Sequence, residues 1–395
     1  MTSSKESACA FLSDQALKAL LKKLPTPFYL YDEAGLRRTA RELNSAFDWN
    51  AGFRQHFPVR CCPSYGILCI LAEEGCGVYC ENAAELALAR RCGFSEDRIL
   101  CAAFAGSEAY TTVLDGAFDQ PPAPPKRVLL RINPGGSLTY GGQIFASLDR
   151  ICLGMPTDEA LTLARQFRLF GAEELGLSFQ ALTNDPRPGY CLAAAQLLFE
   201  AACAFADVLG FAPDICCLGD CIAASDRPGQ PEPSISECGA QIRQLYESLL
   251  VSGGLASIRL ITTLGRRQIA QHAVFVSRIR AIRARQRRLL LIDAACGQLA
   301  DAGPMGCRHQ IRVLSSHNSN GEVIACDIAG RTGDPFGYLA MNCKLPDAAP
   351  GDFLVFHTAG VLPEHPVSEP AAQYLLREDG SVVSLTAQAE DGSAM

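Results

Sequence analysis

The sequence predicts a parallel (β/α) barrel of the TIM type joined to a smaller β-domain. Three observations predict it. Short β-branched or aromatic runs alternate with helical runs in a regular order from about residue 57 to about residue 264. Beyond about residue 273 the texture changes to short apolar runs separated by turns, as in LLLID, EVIACDI and DFLVFHT. No glycine-rich loop of the kind an open, doubly wound nucleotide-binding sheet requires is found. The expected barrel covers 33–272, and the β-domain takes 273–395.

Each element has a local reason. Residues 14–24, DQALKALLKKL, form an amphipathic helix that must stop before Pro25 and Pro27. A strand over 28–31 follows, and Asp32 caps a helix running toward Phe47. The run 57–60 is a strand that enters an apolar helix over 66–74, closed by Gly75. After a strand at 78–80, Asn82 and Glu85 make a capping-box pair for a helix ending at Gly93, and 99–104 is the next strand. Strands at 128–132, 175–181, 214–218 and 258–264 alternate with helices over 157–170, 190–209 and 235–251.

Between Gly106 and Arg127 the pattern thins. A weak helix is predicted over 108–114, and the proline-rich run 120–125 is a loop by composition. Seven barrel strands are therefore firm, and one βα unit is expected to be shortened or missing. An unpaired gap between parallel strands would leave edges exposed, so the barrel is expected either to carry a substitute strand here or to be distorted on this side.

Composition excludes several classes of function. Of 395 residues, 48% are hydrophobic and 19% charged, enough for a sizeable core and too few charges for long disorder. A net charge of −7 argues against nucleic acid as a partner. The arginines of 278–288, RIRAIRARQRR, leave a phosphate or RNA patch open, but such a run is more often a solvated helix face or linker, which is the reading taken. No apolar run of membrane-spanning length and no signal peptide is evident, so a cytoplasmic chain with reduced thiols is expected. Among nineteen cysteines, Cys61, Cys62, Cys80, Cys217 and Cys221 fall near strand ends, which raises a thiolate metal site. None has the spacing of a zinc pair with its mate, so they read as small buried apolar residues and no metal is expected.

In parallel α/β barrels the chemistry sits where strands end. There the chain carries TPFYLYD at 26–32, FPVRCCP at 57–63, LAEEGCGVYCENAAEL at 71–86 and RINPGG at 131–136. In these motifs it resembles the alanine-racemase-like, fold type III decarboxylases that use pyridoxal phosphate, the diaminopimelate and ornithine decarboxylase group. The resemblance covers roughly 25–375, and it implies that residues 1–32 join 273–395 in the β-domain. It implies a Schiff-base lysine in a first strand close to FAVKANP, and that position is Arg60. A guanidinium stays protonated and cannot serve as the nucleophilic amine. The lysines present are Lys5, Lys18, Lys22, Lys23, Lys126 and Lys344, and none falls at the carboxyl end of a predicted strand.

The other cofactor positions that the resemblance implies are changed as well. A triple-glycine phosphate cradle becomes Gly219, Asp220 and Cys221, bringing a carboxylate toward a dianion. The two histidines of a GLHFHIGS-like strand become Ser178 and Gln180. The carboxylate of EPGR, which would hold the pyridine nitrogen, becomes Thr263, with Gly265 and Arg266 kept. The tyrosine of a GAY motif becomes Val361, and an arginine for the substrate carboxylate becomes Gly303 and Pro304. Gly77, Glu85, Arg131, Asn133 and Pro134 match, and Cys326 with Asp327 resembles a cysteine-acid pair that the family donates across a dimer interface.

Three functions follow as expectations. The first is a catalytically inactive relative of the decarboxylases that works by binding or association. The second is a repurposed barrel enzyme in which Arg60 binds an anionic substrate beside Cys61, Cys62 or Asp220. The third is an active decarboxylase using a displaced lysine. Pyridoxal phosphate enters by family resemblance only, and none is expected to be bound covalently. A homodimer is the default assembly, with a mixed dimer with an intact relative as the alternative.

Overall fold

The computed structural model describes residues 11–105, 109–119, 121, 124–180, 184–225, 232–302, 309–315, 322–331, 337–364 and 369–385. The chain divides into two compact units, one of Arg37–Ala224 with Pro231–Gln268 and one of Met1–Leu36, Ser225–Gln230 and Ile269–Met395.

The first unit is a closed barrel of eight parallel strands: β1 Arg54–Pro58, β2 Gly77–Cys80, β3 Ile99–Ala102, β4 Thr111–Leu114, β5 Arg127–Arg131, β6 Glu174–Gln180, β7 Ile215–Gly219 and β8 Arg259–Thr263. They pair in chain order, and β8 closes on β1 through Ile261 opposite Arg54 and Thr262 opposite Gln55. Inside lie Tyr79, Leu100, Val113, Leu129, Ile215, Cys217 and Ile261, a packed core rather than a pore. At Gly176 a Cβ would stand 2.5 Å from Leu129 Cδ2 and 2.6 Å from the Ile215 carbonyl, so the glycine lets β6 close on its neighbours.

The unit expected to be shortened or missing is shortened, and the barrel closes through β4. Thr111–Leu114, read as part of a weak helix, is the eighth strand, with Leu100 opposite Thr111 and Val113 opposite Leu129. Its β-branched run Thr111, Thr112 and Val113 suits a strand, and two neighbours with open edges decide the matter. What is lost is the helix. A 3-10 turn at Ala103–Ala105 precedes β4, and no helix follows it before β5 among the described residues. Positions 106–108, 120, 122 and 123 of the interval lie outside the described residues.

An ion pair holds this helix-free corner. The Arg131 guanidinium, at the end of β5, donates to both Asp115 oxygens at 2.9 and 2.8 Å, and to the Tyr79 hydroxyl at 3.3 Å. The Gly154 amide donates to the same Asp115 carboxylate at 3.0 Å. Sequence reading missed Asp115. Its only signal is an acidic residue directly after a β-branched run, opposite an arginine at the end of the next strand.

Outside the barrel, the helix Tyr190–Leu209 starts at Pro188 and Gly189 and stops at left-handed Gly210. Its 20 residues are long and apolar enough to cross a membrane, which corrects the expectation that no run reaches that length. Glu200 and Asp207 interrupt it, and Leu198, Phe199, Ala202 and Phe205 are buried in one cluster with Phe179, Leu218 and Tyr246.

In the second unit, the strand Phe28–Asp32 lies between Ala273–Arg283, antiparallel, and Ala372–Leu376, parallel. The amino-terminal segment thus joins the sheet formed by the carboxyl-terminal third of the chain. The arginine cluster is neither helix face nor linker. It occupies the strand Ala273–Arg283 and the hairpin into Arg288–Ile292. There Arg287 Nε lies 3.1 Å from Asp327 and Arg280 lies 3.6 Å from Asp293, while Arg288 pairs with Asp347.

Candidate active site

The carboxyl ends of β1, β6, β7 and β8 bring most of the singled-out residues together. Past β1 the chain makes a 3-10 turn, Val59–Cys61, that presents Arg60. Its guanidinium meets the Glu81 carboxylate at 3.1 Å, both side chains being about one-third exposed. Glu81 sits where it does because Asn82 caps the helix Ala83–Arg91 through the Glu85 amide, while the Glu85 carboxylate accepts from the Glu81 amide at 2.7 Å. The capping box is legible in the sequence, but Glu81 as the partner of Arg60 is not.

Asp220 is the centre of the arrangement. It follows Gly219 at the end of β7 with a left-handed backbone, φ 43°, and its amide donates to the Thr263 carbonyl at 3.0 Å. That conformation costs an L-residue about 1 kcal/mol, and it turns the side chain onto two donors. The Gln180 side-chain amide donates to one carboxylate oxygen at 2.8 Å, and the Gly265 backbone amide donates to the other at 3.3 Å. Burial raises the Asp220 carboxyl above the usual range; those two donors, Arg60 and Arg266 pull the other way without offsetting it.

A raised value in the folded chain has a defined sign. The folded state holds the Asp220 proton more tightly than the unfolded chain, so this contribution is full below the ordinary carboxylate range. It is lost as pH rises through the raised value. Asp220→Asn is therefore expected to gain stability on the wild type across that interval, seen as diverging urea midpoints over a pH series. Parallel profiles would contradict it.

The glycines here are fixed by proximity. A Cβ at Gly265 would stand 2.5 Å from Cys61 Sγ, and one at Gly219 would stand 2.9 Å from Gln180 Cβ and 3.1 Å from Thr263 Oγ1. Burial pushes the Cys61 thiol up to about 12, with Asp220 adding to it. Cys62 and Cys221 are fully buried, and burial holds Cys221 well above the usual thiol range. Burial raises the Cys217 thiol to about 11, with Ser178 and Thr263 pulling it the other way. No group of three or more Cys, His, Asp or Glu is placed to hold a metal ion among the described residues.

Cys326 and Asp327 belong to the sheet unit, on the strand Val323–Ala329. Cys326 is buried opposite Cys343 in the neighbouring strand, and burial raises its thiol to about 12. Asp327 accepts from Arg287 Nε at 3.1 Å and from the Asn342 amide at 2.7 Å. Val361 also lies in the sheet unit, whereas Gly303 and Pro304 fall outside the described residues. Among the lysines, Lys126 alone lies in the barrel unit, at the amino end of β5, its Nζ 3.4 Å from Glu173. Lys5 lies outside the described residues.

Comparison with known proteins agrees with this architecture. The family model described as pyridoxal-dependent decarboxylase, C-terminal sheet domain, matches residues 28–360. Protein TabA of Pseudomonas amygdali pv. tabaci is 25% identical over 386 residues, covering 93% of this chain and 90% of that protein. Diaminopimelate decarboxylase of Methanothermobacter thermautotrophicus is 23% identical over 355 residues, 85% of this chain and 82% of that one. The crystal structure of diaminopimelate decarboxylase from Helicobacter pylori complexed with L-lysine superposes with a TM-score of 0.75 at 18% identity, over 95% of this chain and 100% of that one. At that identity the superposition speaks for the fold alone. With the family model spanning both the barrel and most of the sheet unit, this chain belongs to the pyridoxal-dependent decarboxylases of the diaminopimelate and ornithine type.

Proposed function

We propose that this chain is a catalytically silent member of its family, acting through binding or association rather than decarboxylation. One observation carries the reading: the Asp220 carboxylate already occupies the Gly265 amide and the Gln180 side chain, donors that an anionic ligand at this strand end would need. A phosphate dianion brought to the same donors would face a fixed carboxylate, at a cost of about 4 kcal/mol for unit charges 4 Å apart at an effective dielectric of 20.

The remaining positions do not fit pyridoxal phosphate either. Arg60 offers no neutral amine and is paired with Glu81. Thr263, matched to the ring-nitrogen carboxylate, brings no charge. The repurposed-enzyme reading needs a thiolate beside Arg60, and Cys61 is held protonated at neutral pH. The displaced-lysine reading has no candidate in the barrel unit except Lys126, at the wrong end of its strand.

A homodimer is the proposed assembly. The mixed dimer is weakened by Asp327, which is engaged by Arg287 of its own chain instead of standing ready for a neighbour. A reducing compartment, the cytoplasm, suits a chain whose seventeen described cysteines are all unbridged.

The test is spectroscopic. Purified protein with added pyridoxal phosphate is expected to show only the absorption of the free cofactor, and borohydride to trap no adduct. Arg60→Lys is expected to remain inactive with diaminopimelate, ornithine and arginine, because Asp220, Gln180 and Thr263 are unchanged. A trapped wild-type adduct, or decarboxylation by the single variant, would overturn the proposal.

A further inference from the structure

On the outer wall of the barrel two cysteines from adjacent helices meet. Cys69 lies one turn along the helix Tyr65–Glu73 from Tyr65, and Cys92 caps the end of the helix Ala83–Arg91. The Cys92 thiol donates to the Tyr65 carbonyl at 3.7 Å. In an α-helix that carbonyl faces the amide four residues on, here Cys69, so the Cys92 sulfur lies over the turn that carries Cys69. Cys69 holds the Tyr65 hydroxyl above its ordinary value and, after burial, does the same for the Cys92 thiol. The Arg91 guanidinium lies 5.3 Å over the Tyr65 ring, which places a positive charge beside the pair.

Access separates this pair from the other thiols in contact. Cys69 and Cys92 are both partly exposed. Cys80 and Cys101 also stand opposite one another on β2 and β3, but both are fully buried. Reactive cysteines are those that are partly exposed, near positive charge and next to a resolving thiol.

We propose that Cys69 and Cys92 form a redox-active dithiol, closed to an intramolecular disulfide by a small disulfide oxidant such as oxidised glutathione. Cys69, as thiolate, attacks one glutathione sulfur; the glutathione S–S bond breaks, one glutathione leaves as thiolate, and a mixed disulfide stands on Cys69. With Cys69 in the mixed disulfide, its thiol no longer holds the Cys92 proton up, and Cys92 gives that proton to solvent. The Cys92 thiolate attacks the Cys69 sulfur, the Cys69–glutathione bond breaks, the protein S–S bond forms and the second glutathione leaves as thiolate. The two protein protons pass through solvent to the two leaving thiolates, and two electrons pass from the protein to the oxidant. Cys69 acts first, because burial and Cys69 itself hold the Cys92 proton up to about 12. The closed form ties together the two helices that flank β2, the first of which follows the Arg60 turn directly.

The test uses the whole wild-type chain. After incubation in glutathione redox buffers and trapping of free thiols with N-ethylmaleimide, peptide mass spectrometry is expected to find the Cys69–Cys92 link in at least roughly tenfold excess over any Cys80–Cys101 link. In Cys92→Ala the reaction should stop at a glutathione adduct on Cys69, and in Cys69→Ala the link should vanish. The proposal is overturned if Cys69 and Cys92 stay reduced in buffers that oxidise exposed Cys152. It is equally overturned if Cys92→Ala gives no more adduct on Cys69 than the wild type. The wild-type measurement depends on no variant being folded.

Discussion

Asp220→Gly is expected to raise the affinity for inorganic phosphate by about a hundredfold over the wild type. The carboxylate leaves, the Gln180 side chain and the Gly265 amide are freed as donors, and glycine adopts the left-handed backbone of this position without strain. About 4 kcal/mol of like-charge repulsion would correspond to nearly three decades of binding; partial solvent access at the barrel mouth, and salt, reduce that to about two. Asp220→Asn separates charge from space, since it removes the charge and keeps the bulk, and should give a smaller gain. Titration calorimetry with phosphate, beside circular dichroism to confirm the fold, reads both. A folded Asp220→Gly that binds phosphate no better than the wild type would mean that Asp220 is not what keeps an anion out.

Arg131→Met should destabilise the barrel by about 2–3 kcal/mol. The Arg131 side chain is 7% exposed and its partner Asp115 26% exposed. Removing the cation leaves a partly buried carboxylate with the Gly154 amide as its remaining donor among those described above. Breaking a fully buried pair from one side costs about 3–5 kcal/mol, and the exposure of Asp115 lowers that. Trp49 is the chain's one tryptophan and packs against Phe47 and Tyr246, so its fluorescence reports on the barrel unit. The urea midpoint read there should fall, and Arg131→Met with Asp115→Leu should recover part of the loss as a double-mutant cycle. An unchanged midpoint would mean that the corner stands without the pair.

These two residues also mark where sequence reading ends. The order of strands and helices is legible because each carries its own period and its own caps, as in Asn82 with Glu85 or the glycine after Leu209. β4 is not legible locally. Four residues, Thr111–Leu114, beside charged neighbours give too short a pattern to tell strand from helix, and only closure of the barrel decides it. The same limit applies at the site. Sequence order, with a family resemblance, singles out Arg60, Gln180, Gly219, Asp220, Thr263 and Gly265, and the ends of four strands bring them together. It foresees Asp220 as an intruding charge. It does not foresee that β6 and β8 supply that charge with donors, because Gln180, Asp220 and Gly265 lie far apart in sequence and no periodicity links them. Arg60 with Glu81, and Arg131 with Asp115, are hidden for the same reason.

The stave that has shed its outer helix has a bearing on engineering. β4 takes its backbone hydrogen bonds from β3 and β5, and its exit is pinned by a side-chain pair, so the segment after it is not needed as a wall. Ala117 and Phe118 stand exposed there, Phe118 at 76%. A chain cut at that point, or a guest domain spliced into it, would leave every barrel strand whole. The seam beside β4 is thus the natural doorway into this scaffold.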